Sequence, residues 1–105
     1  MKSHSTLTVT EQEMDLGLRA LADPARRRIL RALALPAANS LGKSHGLCAG
    51  DVEMHVALSQ PTVSHHLAIL RRAGLVEAKK IGQWVWYQRK NSALQQLATA
   101  VRKDI

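Results

Sequence analysis

Apolar residues recur at helical spacing through most of the chain. Met14, Leu18 and Leu21 repeat at i, i+4 and i+7, and Thr10 with Glu13 has the spacing of a capping box. A first helix of about three turns is therefore expected to follow Thr10. Residues 1–9 carry small polar residues and lack any period, so we expect a disordered N-terminal tail before a folded unit that spans 10–105.

Two further helices are indicated by the residues at their ends. Asp23 is a suitable N-cap, Pro24 fits the first helical position, and Pro36 ends the helix. The next segment, 36–46, has the composition of a loop that is long for a helix-to-helix connection. A short third helix is expected to begin at 49 or 50 and to end at 56.

The segment from Ser59 to Gly74 predicts a fourth helix with two different faces. Ser59 can act as N-cap, Pro61 lies in the first turn where no amide donor is needed, and Gly74 ends the helix. Projection at 100° per residue places His66 on the inner face as a packing residue hydrogen-bonded within the core. The apolar residues that share this inner face are Val63, Leu67 and Leu70.

The opposite face of this helix carries short, polar and mostly uncharged side chains. Ser64 and Ala68 allow a partner to approach the backbone, while Arg72 suits a phosphate. By itself this pattern also fits an ordinary amphipathic surface helix. The candidate DNA-binding residues of the helix are Ser59, Gln60, Thr62, Ser64, His65 and Arg72.

A helix-turn-helix followed by a hairpin supports the DNA-binding interpretation. The third helix, a turn of about three or four residues and the fourth helix have the helix-turn-helix arrangement. After Gly74 the period changes to two, and 75–80 with 83–90 flank Ile81-Gly82 as the arms of a hairpin, or wing. The candidate DNA-binding residues of the wing are Lys79, Lys80 and Gln83.

A fifth helix, capped by Asn91 or Ser92, carries another apolar stripe. Apolar stripes near both chain ends are most often buried in a two-fold homodimer, which also suits an inverted-repeat DNA site. The predicted dimer residues are Met14, Leu18, Leu21, Leu94, Leu97 and Val101.

Charge and composition narrow the class of protein. The chain of 105 residues is the size of one domain and carries a formal net charge of +7. Between 60 and 90 there are six basic residues and one acidic residue, so the charge lies beside the proposed DNA-reading helix. No apolar run is long enough for a membrane span, and the N-terminus lacks a signal-peptide core, so we expect a cytoplasmic protein with no membrane partner.

At this point the sequence resembles the ArsR/SmtB family of bacterial winged-helix repressors. The likeness lies in Leu21–Leu30, in Leu58–Val76 and in Gly82–Tyr87. It implies a mainly α winged helix-turn-helix fold and a homodimer, with the first and last helices forming the interface. It further implies a protein that occludes a promoter and leaves it when an effector binds, often a metal ion, an arsenical or a thiol-reactive species.

The effector sites are where the chain departs from that family. The family's Cys-x-Cys run is Cys48-Ala49-Gly50 here, and residues 91–105 contain neither His nor Cys, so both usual metal sites are expected to be absent. A nickel or zinc site of mixed nitrogen, sulfur and oxygen ligands remains chemically possible. Its candidate ligands are His45, Cys48, Asp51 and His55.

Two other functions are kept as alternatives. Charge alone also suits an architectural protein that coats DNA without sequence preference. An enzyme using Cys48 with His45 is disfavoured, because the sequence lacks a third orienting group, a phosphate loop and a pair of catalytic carboxylates.

Overall fold

The computed structural model describes residues 9–35 and 46–105. Within these ranges the chain forms α-helices and one antiparallel hairpin in the order of a winged helix-turn-helix, as predicted. The predicted tail 1–9 is described only at Val9, and the predicted loop 36–46 only at Gly46. The elements are α1 (Glu11–Leu21), α2 (Pro24–Leu33), α3 (Ala49–Val56), α4 (Gln60–Arg72), β1 (Val76–Ile81), β2 (Trp84–Arg89) and α5 (Asn91–Asp104).

The first two helices begin as the sequence predicts. The Thr10 hydroxyl accepts the Glu13 amide at 3.0 Å, and the Glu13 carboxylate accepts the Thr10 amide at 2.9 Å, which completes the capping box. Asp23 accepts the Ala25 amide at 2.7 Å, and this bond contributes most to lowering the pKa of the Asp23 carboxyl. Local sequence therefore sets both helix starts.

One predicted N-cap is confirmed without its side-chain bond, and another is wrong. Ser59 occupies the N-cap position of α4, but its hydroxyl bonds the Thr62 hydroxyl at 3.0 Å and makes no cap bond. The N-cap of α5 is Lys90, because Asn91 is already helical and its side-chain oxygen accepts the Arg89 Nε at 2.8 Å. In both places a neighbouring side chain competes successfully with the backbone amides.

The core lies between α2, α3, α4 and the base of the hairpin. Ile29, Val52, Val63 and Leu70 are fully buried at its centre. The inward face predicted for α4 is confirmed, since Val63, His66, Leu67 and Leu70 are its buried residues. No helix within 9–35 or 46–105 is long and apolar enough to cross a membrane.

The hairpin turn differs by one residue from the prediction. Ile81 pairs with Trp84, so the turn is Gly82-Gln83 and not Ile81-Gly82. Gly82 has φ +62°, and the two-residue turns that favour hairpins need such a positive φ at their first position. Leu47 pairs with Tyr87 through bonds of 3.0 and 2.7 Å, which ties the start of the α3 region to β2.

Helices α1 and α5 pack on each other inside one chain. Gly17 leaves a notch for Leu97, since a Cβ at Gly17 would lie 2.7 Å from Leu97 Cδ2. Leu97 is 5% exposed and therefore offers little surface to a second subunit. Four other predicted dimer residues are half-buried against the chain's own core, and Leu18 is 39% exposed; the four are Met14, Leu21, Leu94 and Val101.

Candidate nucleic-acid interface

The outer face of α4 is open to solvent along its length. Ser64, His65 and Ala68 are exposed in the middle of the helix, where small side chains leave the backbone accessible. Thr62 is half-buried, and its hydroxyl is hydrogen-bonded to the hydroxyl of Ser59. The predicted contact residues that the structure places in solvent are Ser59, Gln60, Ser64, His65 and Arg72.

The turn between α3 and α4 depends on an unusual alanine. Ala57 has φ 58° and ψ 44°, and its amide donates to the Glu53 carbonyl at 2.8 Å. Glycine or asparagine usually occupies this left-handed position, and an alanine there costs about 1 kcal/mol. The turn at Ala57-Leu58 could be predicted from its place between the two helices, but alanine gives no sequence signal for the left-handed conformation.

The wing projects basic side chains from both of its faces. Lys79 pairs with Trp86 and Lys80 pairs with Val85, and both lysines are exposed. Since successive side chains of a strand point to opposite faces, the two ammonium groups lie on opposite sides of the hairpin. Gln83 is exposed in the turn. The wing therefore presents a positive charge on either side of its tip.

A shallow groove lies between α4 and the wing. Arg71, which the sequence analysis did not include among the candidate DNA-binding residues, lines this groove. Arg71 and Arg72 line it from α4, and Glu77 lines it from β1. Arg71 is a basic residue at the end of α4 like its neighbour Arg72, so the same reasoning could have identified it. Both arginines are exposed, so their guanidinium groups are available to phosphates.

A buried polar contact supports α4 from behind. His66 is 8% exposed, and its Nδ1 lies 3.2 Å from Nη1 of Arg26 on α2. The sequence indicated that His66 needs a partner inside the protein, but the partner lies 40 positions earlier and no local pattern identifies it. Arg26 is thus a residue of this site that sequence reasoning did not find.

The candidate metal ligands are only partly brought together. The Cys48 thiol donates to Asp51 Oδ2 at 3.2 Å, and the same oxygen accepts the Cys48 amide at 3.3 Å. Burial raises the pKa of the Cys48 thiol, which disfavours the thiolate that a metal requires. His55 is exposed, His45 lies outside the described residues, and the described residues contain no metal-binding group of three His, Cys, Asp or Glu.

Comparison with known proteins agrees with this geometry. The family model described as bacterial regulatory protein, arsR family, matches residues 23–78. The transcriptional repressor SdpR of Bacillus subtilis (strain 168) is 35% identical over 77 residues, which are 73% of this chain and 76% of that protein.

Two solved structures share the fold. The ArsR-like transcriptional regulator from Rhodococcus sp. RHA1 has a TM-score of 0.71 at 24% identity, covering 89% of this chain and 79% of the other. A homodimeric winged helix-turn-helix DNA-binding domain from Mycobacterium bovis has a TM-score of 0.64 at 24% identity, covering 89% and 80%. The chain therefore belongs to the arsR family of bacterial regulatory proteins, and it is a regulator rather than an enzyme.

Proposed function

We propose that the chain is a homodimeric transcriptional repressor that binds an inverted-repeat operator and thereby occludes a promoter. The observation that carries this proposal is the exposed, short-chained outer face of α4 beside a basic wing. The family assignment supports it, as do a relative named as a transcriptional repressor and a structural neighbour described as a homodimeric DNA-binding domain. Such a protein acts on bacterial DNA, so a cytoplasmic location is part of the proposal.

Each candidate side chain has a role in this complex. Gln60 and His65 hydrogen-bond base edges in the major groove, and Ser64 lets the helix approach closely. The hydrogen-bonded hydroxyls of Ser59 and Thr62 lie at the start of α4, where they can bind a further base or phosphate. Arg72 binds the phosphate backbone.

The wing is proposed to enter the minor groove beside the major groove that α4 occupies. A minor groove has a phosphate strand on each side, which matches lysines on opposite faces of the hairpin. Lys79 and Lys80 would then each neutralise a phosphate of a different strand, while Gln83 in the turn reaches the groove floor.

Sequence readout is tested by selecting duplexes from a random-sequence pool with the wild-type protein. We expect Gln60→Ala and His65→Ala each to reduce discrimination at one base position by about 1–3 kcal/mol, because a base contact is lost. Gln95→Ala on the exposed side of α5 is the matched control and should keep the wild-type preference. Selection without any enriched sequence would instead favour architectural DNA coating.

Phosphate contact by the wing is tested by the salt dependence of binding to a selected duplex. Lys79→Ala and Lys80→Ala should each weaken binding to all sequences and reduce the slope of log K against log salt by about 1. In the double variant the slope should be reduced by about 2. Lys103→Ala, an equal charge change at an exposed position of α5, should leave the slope unchanged, and an equal loss there would contradict the proposed wing contact.

Release from DNA by an effector belongs to the same proposal. The contact between Cys48 and Asp51, with exposed His55 on the same helix, gives a nickel or zinc site a starting point. Adding nickel, zinc, arsenite or an oxidant to the DNA complex separates the effector classes. Release that disappears in Cys48→Ser would assign the response to this site, whereas no release would favour an organic ligand or a partner protein.

A further inference from the structure

The guanidinium of Arg26 connects three helices. Its Nε donates to the Ala20 carbonyl at 2.7 Å, and its Nη2 donates to the Arg19 carbonyl at 3.1 Å, both in the last turn of α1. Its Nη1 lies 3.2 Å from His66 Nδ1, on the inner face of α4, and 3.8 Å from the Asp23 carboxylate at the start of α2. One side chain of α2 therefore fixes the end of α1 relative to α4, the proposed recognition helix for DNA.

The chemistry of this contact determines the protonation state of His66. Arginine can only donate, so Nδ1 of His66 must accept, and the ring is neutral with its proton on Nε2. A doubly protonated ring has no acceptor and carries the same charge as Arg26. Protonation therefore replaces a hydrogen bond with a repulsion in a nearly buried place.

We propose that Arg26 is a positioning residue that holds recognition helix α4 against the dimerisation helix α1, and that protonation of His66 releases this hold. The inference rests on the DNA-binding function proposed above. In the proposed dimer, α1 belongs to the interface between subunits, so the contacts of Arg26 help to set the separation of the two recognition helices. A loosened α4 no longer fits two successive major grooves.

Burial and the charged groups around His66 place its protonation below pH 6.5. Burial lowers the pKa of His66 from its ordinary value of 6.5, Asp23 acts in the opposite direction, and Arg26 and His65 lower the pKa further. Since the folded state binds the proton less readily than the unfolded state, this contribution to stability is present above pH 6.5. It is lost as the pH falls through the lowered pKa.

The first experiment observes the contact without DNA. Nitrogen-15 NMR of the imidazole rings should show His66 as the neutral form protonated at Nε2, titrating below 6.5. In Arg26→Lys the side chain cannot reach the three acceptors together, and the fixed tautomer should be lost. A His66 that titrates at or above 6.5, or that holds its proton on Nδ1, would overturn the proposal.

The second experiment measures affinity for a selected duplex above and below pH 6.5. His66→Asn keeps an acceptor near the Nδ1 position and removes the titration. We expect wild-type affinity to fall about tenfold relative to His66→Asn on acidification, because a protonated His66 no longer holds α4 in place. Comparison with this variant isolates the contribution of His66 from every other effect of pH on the complex.

Matched controls separate positioning from charge. Arg26→Lys should weaken binding above pH 6.5 and flatten the pH dependence, whereas Arg28→Lys on the exposed side of α2 should change neither. Equal pH dependence in wild type and His66→Asn would refute the release step. If selection enriches no duplex, the DNA-binding proposal fails instead, while NMR still tests the link between Arg26 and His66.

Discussion

Replacing Leu18 with Glu is expected to convert the proposed dimer into monomers and to lower affinity for a selected duplex by about a hundredfold or more. Leu18 is 39% exposed on α1, beside residues that pack on the chain's own core. In a two-fold interface the two carboxylates would be buried without partners, which costs about 3 kcal/mol or more. Light scattering measures the assembly state, and a DNA titration at fixed salt measures the affinity.

Leu35→Glu is the control for this substitution. Leu35 is 53% exposed and lies next to the C-terminal end of α2, on a surface that we do not assign to the interface. The substitution is the same as at Leu18. It should remain dimeric and bind DNA as the wild type does. A Leu18→Glu protein that is still dimeric at the same concentration would place the subunit contact elsewhere.

Gly46→Ala is expected to destabilise the protein by about 2 kcal/mol or more, because no L side chain fits the position. Gly46 has φ +109°, and an added Cβ would meet the backbone carbonyl oxygen of Tyr87. The adjacent Leu47 is bonded to Tyr87 in both directions, so the backbone cannot easily move away. Thermal unfolding should show a lower Tm by about 10 °C.

Gly50→Ala provides the opposite outcome at a neighbouring glycine. Gly50 is exposed in α3, and an added Cβ meets nothing within 4 Å. Alanine has the higher helix propensity, so a gain of about 0.5 kcal/mol is expected. Equal losses in the two variants would show that the strand pairing at Leu47 does not constrain Gly46.

The order of elements could be predicted because the signals for it are local. The capping box of Thr10 and the Asp23-Pro24 pair mark helix starts within a few residues, and the structure confirms both. The same local reasoning found the N-cap residue Ser59 but not its missing side-chain bond, and it was wrong at Asn91, which follows the N-cap of α5. Each of these side chains has a partner two or three positions away, and a capping pattern does not reveal that competition.

The inner and outer faces of α4 were predicted correctly because a helix has a fixed period. The contacts behind it could not be predicted, since Arg26 and His66 are distant in sequence and meet only after α2 and α4 have packed. The same holds for Gly17 and Leu97, whose fit turns a predicted interface leucine into a core residue. Base and phosphate contacts remain predictions from exposure and chemistry.

The fit of Leu97 against Gly17 has a consequence for how the regulator responds to its own abundance. Because α1 and α5 are already docked within one chain, dilution should separate the proposed dimer into subunits that stay folded. Operator occupancy would then vary with about the square of the subunit concentration wherever monomers predominate. A modest change in synthesis or degradation would switch the promoter more sharply than it could with a permanently associated dimer.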